Sequence, residues 1–218
     1  MRKVLNDMVV DSVFQTSKNG KLKIIKVVDS CNIDVEFLDT GYKTTTKACH
    51  IRDGIVKDYL LKSVYGVGFI GIGSNSAKLN GKKSIAYETW RHMPERCYSP
   101  QMLKKNPTYI GCSVCKEWHD FQVFCEWFYD NYTKGYHLDK DIKVDGNKIY
   151  SPETCLFVKA EDNSIKANAR YFSMITPSGE KFVIYNLTQF CRENNLQASS
   201  MSNVYHGKQK SHKGWAKA

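Results

Sequence analysis

The stretch from Tyr136 to Asn163 reads Tyr-His-Leu-Asp-Lys-Asp-Ile-Lys-Val-Asp-Gly-Asn-Lys-Ile-Tyr-Ser-Pro-Glu-Thr-Cys-Leu-Phe-Val-Lys-Ala-Glu-Asp-Asn, and it leaves the chain few ways to fold. Leu138, Ile142 and Val144 alternate with charged residues, the period of a strand. Asp145-Gly146 is a turn pair, with the glycine free to take positive φ. After Ile149-Tyr150-Ser151-Pro152, the apolar run Leu156-Phe157-Val158 leads into Lys159-Ala160-Glu161-Asp162-Asn163, which suits a helical turn better than more sheet. The prediction is a strand, a turn, a return and a helical turn. In a regular strand His137, Asp139 and Asp141 project from one face and Leu138 and Lys140 from the other. The plainer alternative is a surface hairpin carrying solvated charges.

The run Leu138-Asp139-Lys140, then Asn147, then Ser151-Pro152-Glu153-Thr154-Cys155-Leu156-Phe157-Val158 and Asn163 resembles the ββα core of the HNH (His-Me finger) endonucleases. It is most similar to the homing-type enzymes of phages and introns. Trp90-Arg-His-Met-Pro-Glu-Arg-Cys97-Tyr98 and Val114-Cys115-Lys-Glu-Trp118 resemble the lead-in of the same group. The resemblance implies a ββα-metal fold and a metal-dependent endonuclease. In it Asp139 and Asn163 match the metal-binding residues, Lys140 stands where the general-base histidine normally does, and Thr154 takes the place of the central Asn.

Phosphodiester hydrolysis needs an activated water, neutralised charge on phosphorus and a stabilised leaving oxygen, and one divalent cation supplies the last two. Mg²⁺, or Mn²⁺ in its place, prefers oxygen ligands, so a carboxylate, an amide oxygen and the substrate phosphate suffice. Asp139, Asn163 and Asp141 are the expected metal ligands. The catalytic set is Asp139, Lys140, Asn163 and His137. A lysine with an ordinary pKa near ~10.4 is protonated at neutral pH, so Lys140 serves as base only if desolvated, and otherwise as a fixed charge on the phosphate. His137 is the alternative proton acceptor.

The 218 residues carry a formal charge of +10, which suggests an acidic polymer as partner, with nucleic acid ahead of a membrane surface. No apolar run approaches the ~20 residues of a spanning helix, and the first residues lack the apolar core of a signal peptide. A cytoplasmic protein, monomeric and without membrane attachment, is expected. The eight cysteines lie mostly in apolar or aromatic surroundings and read as small buried hydrophobes of a reducing compartment. Cys112-Ser-Val-Cys115 has the spacing of half a zinc site, with Cys97, His119 and Cys125 nearby, but a second paired knuckle is missing, so zinc is not the expected cofactor.

Residues 1–80 read as a β-rich module. Alternating segments at 21–28, 33–38 and 42–47 are separated by Asn19-Gly20, Asp29-Ser30 and Thr40-Gly41, which suggests a small twisted sheet or barrel with most of its lysines solvated. Gly66, Gly68 and Gly71 spell G-x-G-x-x-G, but no amphipathic helix opens after them. A nucleotide cofactor is therefore not expected, and the segment reads as a strand end and a linker. Residues 81–170 hold the nuclease-like core. Ile85, Tyr87, Trp90 and Met93 recur at helical spacing before Pro94, and Phe121, Phe124, Cys125, Trp127 and Phe128 do so again. Glu117, His119 and Asp120 form a second acid and imidazole cluster, which reads as support for the fold first and a rival active site second.

Residues 171–218 read as a helix-turn-helix. A turn at 176–180 and a strand at 181–185 precede an Asn186-capped helix with Leu187, Phe190 and Cys191 on one face. A second helix follows from Ser199, capped by serine and closed by His206-Gly207. From Ser164 onward eight basic residues face two acidic ones. The segment resembles the modular repeats appended to homing endonucleases, which implies double-stranded DNA as partner. Asn203 would read an adenine edge, and Ser199, Ser200, Lys208, Lys210 and Lys213 would contact phosphate. The expectation is an α+β protein: an amino-terminal β module, a central ββα-metal-type core with flanking helices, and a carboxy-terminal helix-turn-helix. Its expected activity is sequence-directed DNA cleavage. The alternatives are a DNA-binding regulator on a degenerate nuclease core and a zinc-stabilised interaction protein.

Overall fold

The computed structural model describes residues 6–144, 146–159 and 170–218. They form a mixed α+β structure of short helices and small, mostly antiparallel sheets, with no barrel among them. The chain divides into two compact units, residues 1–132 with 140–156, and residues 133–139 with 157–218.

The first unit begins with a four-stranded antiparallel meander, β1 (Val13–Gln15), β2 (Lys21–Val27), β3 (Ile33–Phe37) and β4 (Lys43–Thr46), in sequential order. Period-two alternation turns Leu22, Ile24, Ile33, Val35 and Phe37 inward, where they pack with Met8, Val56 and the short helix α1 (Ala48–Arg52). Burying each of these side chains contributes roughly 1.5–3 kcal/mol. On the outer face Lys23 lies opposite Glu36, Lys26 opposite Asp34, and Glu36 opposite Lys43. Opposite charges therefore face one another across the strands, the expected solvated face. The buried Asp58 carboxylate accepts from Thr40 Oγ1 at 2.6 Å and from the Leu60 amide at 2.8 Å, which ties the chain leaving the sheet to the β3–β4 turn.

The glycine-rich segment is not the expected linker. The Phe69 amide donates to the His119 carbonyl at 2.9 Å, and the Phe121 amide donates to the Phe69 carbonyl at 3.0 Å. Gln122, buried, donates to the Ile70 and Asn75 carbonyls and accepts from the Asn75 amide. Side chains at positions 71 and 73 would run into Asp120 and Gln122, and one at 68 into the Trp90 ring. The glycines let this backbone lie against the start of helix α4 (Phe121–Asn131).

A small hairpin, β5 (Lys78–Leu79) with β6 (Lys82–Lys83), precedes α2 (Ile85–Tyr98), which Ser84 caps by accepting from the Tyr87 amide. The helix does not stop before Pro94. It continues through it, with Trp90, Met93 and Cys97 buried on one face. The Trp90 indole donates to the Trp118 carbonyl at 2.7 Å, and its ring meets Phe121 at 5.4 Å, while Trp118 packs on Trp127 at 4.7 Å. These aromatics form the core between α2 and α4, as their density predicted. Helix α3 (Pro100–Lys105), a 3₁₀ turn at Pro107–Tyr109 and strand β7 (Ser113–Val114) follow α2, and β9 (Ile149–Tyr150) pairs with β7 in parallel.

In the second unit, β8 (Tyr136–Asp139) pairs with β10 (Leu156–Lys159). A four-stranded sheet in the order β12 (Lys181–Tyr185), β11 (Tyr171–Ile175), β14 (Trp215–Lys217), β13 (Ser211–His212) carries the helices α5 (Leu187–Glu193) and α6 (Ala198–Tyr205). Met174, Ile184, Leu187, Cys191, Met201 and Val204 make its core. The tail is thus two helices on a sheet rather than two helices alone, because single faces of both helices have apolar residues to bury. Among the described residues no helix is long and apolar enough to cross a membrane.

Candidate functional site

Strand β8 ends at Asp139 rather than running on to Val144, so Asp141 does not continue the face shared by His137 and Asp139. The reason is local. Lys140 is buried, and its ammonium donates to the Asp141 carboxylate and, at 2.8 Å, to the Asn147 carbonyl. Asn147 Nδ2 in turn donates to the Lys140 and Ile149 carbonyls at 2.8 and 2.7 Å. These bonds close residues 140–147 into a loop, and the return strand β9 pairs with β7 instead of β8. The partner of β8 is β10, the apolar run that the sequence also marked.

Within β8, His137 is exposed and Asp139 half-buried, two residues apart and hence on one face. Thr154, which replaces the central Asn of the resemblance, donates to the Ile149 carbonyl at 2.8 Å and lies 3.1 Å from the Ser151 hydroxyl, holding the turn before β10. Asp145, Asn163 and all of the helical turn expected at 159–163 except its first residue lie outside the described residues, and that first residue, Lys159, ends strand β10. The sequence placed Asn147 in the resemblance and Tyr150 in the return but assigned neither a role. Asn147 closes the loop, and the Tyr150 ring lies under the Lys140 ammonium at 5.9 Å. The available signal was an amide just after the turn glycine, a position where side chains often bond back to the local backbone.

The rival cluster has a structural task. Asp120 caps α4, accepting from the Gln122 amide at 2.7 Å, and burial pushes its carboxyl up against the pull of the amides it accepts from. His119 sits in the 3₁₀ turn Glu117–His119, and its backbone carbonyl receives the Phe69 amide. Cys112 and Cys115 flank the extended strand β7. Burial pushes the thiols of Cys97 up to about 12 and of Cys115 and Cys125 up to about 11. Among the described residues no three His, Cys, Asp or Glu side chains gather into a metal-binding group.

In the tail, α6 starts at Ala198 with Gln197 in the cap position, so Ser199 lies in the first turn and is not the cap. Ser199 is exposed, and Ser200 donates to Gln197 Oε1 at 3.0 Å. The Asn203 side chain is exposed, while its carbonyl receives the Lys208 amide at 2.8 Å and the Gln209 amide at 3.2 Å, closing the helix. Lys208 and Lys210 are exposed, just beyond that helix end. Lys213 donates to the Asn195 carbonyl at 2.8 Å, and His212 Nε2 accepts from the Gln197 amide at 3.2 Å. The β13–β14 hairpin therefore holds the connector between the two helices. No protein family, curated protein or solved structure matches the chain.

Proposed function

We propose that the protein is a metal-dependent DNA endonuclease of the HNH type, with the two helices and basic hairpin of its carboxy-terminal unit engaging duplex DNA. The observation that supports this reading is the pairing of β8 with β10, with Asp139 at the end of β8. The donor chemistry suits a hard cation such as Mg²⁺: Asp139 offers carboxylate oxygens, and Asn163 would add an amide oxygen. When bound, the cation would neutralise charge on the phosphate and stabilise the leaving oxygen. His137, exposed on the face of Asp139, is the group suited to take the proton from water. Lys140 supports the loop after β8 through its bonds to Asp141 and Asn147.

Supercoiled plasmid incubated with Mg²⁺ or Mn²⁺ tests the reading. Asp139→Ala should slow cleavage by on the order of 100-fold, the loss of a few kcal/mol of transition-state stabilisation. Cleavage at the wild-type rate by that variant would sink it. A second reading, a DNA-binding regulator without nuclease activity, is favoured by one observation: at the position of the usual proton acceptor, Lys140 is buried and donates both of its observed bonds. Duplex binding by a wild-type protein that leaves the plasmid intact would select it.

A further inference from the structure

We propose that Arg96 and Lys148, gathered on the turn Pro107–Tyr109, form a phosphodiester-binding site of the first unit. The proposal rests on the reading of duplex DNA as the partner and adds a contact surface outside the carboxy-terminal unit.

The arginines of the first unit differ in their counter-charges. Arg52 forks onto Asp7 at 2.7 and 2.6 Å, and Arg91 sits between Glu88 and Glu95 at 3.3 and 3.1 Å. Arg96, half-buried at the end of α2, has no carboxylate within ion-pair distance among the described residues. It lies 5.9 Å over the Tyr109 ring, and its Nη1 makes a long 3.5 Å contact to the Tyr150 hydroxyl. Burial pushes the Tyr150 phenol up, so that hydroxyl is neutral and is no counter-ion. A guanidinium withdrawn from water without an anion is costly, and aromatic faces offset only part of that cost.

Lys148 repeats the pattern on the same turn. Its ammonium donates to the Thr108 carbonyl at 2.9 Å, one residue before Tyr109, and it too has no carboxylate partner among the described residues. The sequence from Arg96 to Lys116 contains no Asp or Glu, and it supplies Lys104 and Lys105, both exposed at the end of α3. Two cations fixed on the adjacent residues Thr108 and Tyr109 thus have no carboxylate partner among the described residues. The two oxygens of a phosphodiester match the arginine fork, with Lys148 as the accompanying point charge.

The test measures binding of the full chain to a short fluorescein-labelled duplex of mixed sequence across a series of NaCl concentrations, with EDTA present so that cleavage plays no part. Lys148→Gln should reduce the slope of log Kobs against log salt by about 0.9, and Arg96→Gln with Lys148→Gln by about twice that. Arg96→Lys keeps the charge, so its slope should stay while affinity falls with loss of the fork. Lys148 is exposed, so its variant tests the site even if loss of Arg96 disturbs folding. A Lys148→Gln slope equal to wild type would overturn the proposal and leave the DNA reading standing, whereas a wild-type protein that does not bind the duplex would remove both.

Discussion

Lys140 is buried although charged, and its neighbours explain how: a carboxylate, a carbonyl and an aromatic face receive the ammonium. Lys140→Met would remove the ammonium bond from the Asn147 carbonyl and from the Asp141 carboxylate. It should lower stability by about 3 kcal/mol, measured as a shift in the urea midpoint, as expected when one member of a buried charged network is removed. The sequence marked Lys140 as unusual through its place in the resemblance. It could not show that the side chain turns inward to its own loop, because that depends on Asn147 and Tyr150 arriving beside it. The cysteines are the opposite case. Their apolar surroundings announced burial, and five of the eight are buried, with Cys115 intermediate and Cys31 and Cys49 exposed. Because the thiolate is the reactive form, and burial pushes Cys97 up to about 12, native protein should react quickly with a thiol reagent at Cys31 and Cys49 alone. Rapid labelling of Cys97 or Cys125 before denaturation would contradict this packing.

Among the elements, those with a strong local period were legible. The meander strands, β12 and α5 lie close to where alternation, turn pairs and the Asn186 cap put them. Helix α2 is longer than its proline suggests because the buried stripe Trp90, Met93 and Cys97 holds both sides of Pro94 to the same core, outweighing the lost backbone bond. Its exposed face carries a charge network: Glu88 meets Lys83 at 3.0 Å and Arg91 at 3.3 Å. The hydrogen bond from Lys83, with help from Arg91, holds the Glu88 carboxyl below its ordinary value of 4.5. A carboxyl lower in the folded than in the unfolded state stabilises the fold above its unfolded value and loses that contribution as pH falls through the folded one. Glu88→Gln should therefore cost under ~1 kcal/mol at neutral pH, a small value because the pair is partly exposed and screened, and the gap should close as acid protonates the folded-state carboxyl, below its ordinary range. A gap that persists in acid would point to lost packing instead of lost charge. The two-residue strands β7 and β13 were not legible, nor was the pairing of β9 with β7, since so short a segment shows no period and exists only through its partner.

At the level of the whole molecule, each unit has an apolar core of its own. Met201, fully buried in the carboxy-terminal core, tests their independence. Met201→Ala should cost on the order of 2–5 kcal/mol in that unit and shift one calorimetric transition downward, while the transition of the unit containing Trp90, Trp118 and Trp127 stays in place. Movement of both together would mean that the two unfold as one. The sequence alone determined the α+β class, the charged outer face of the first sheet, the apolar faces of α5 and α6 and the basic character of the tail, because each follows from local periodicity and composition. Tertiary structure decided that β8 takes β10 as its partner, that the glycine segment lies against α4, and that Arg96 ends beside Tyr109 and Tyr150. Those outcomes depend on residues far apart in the chain competing for the same neighbours, and no local pattern records who wins.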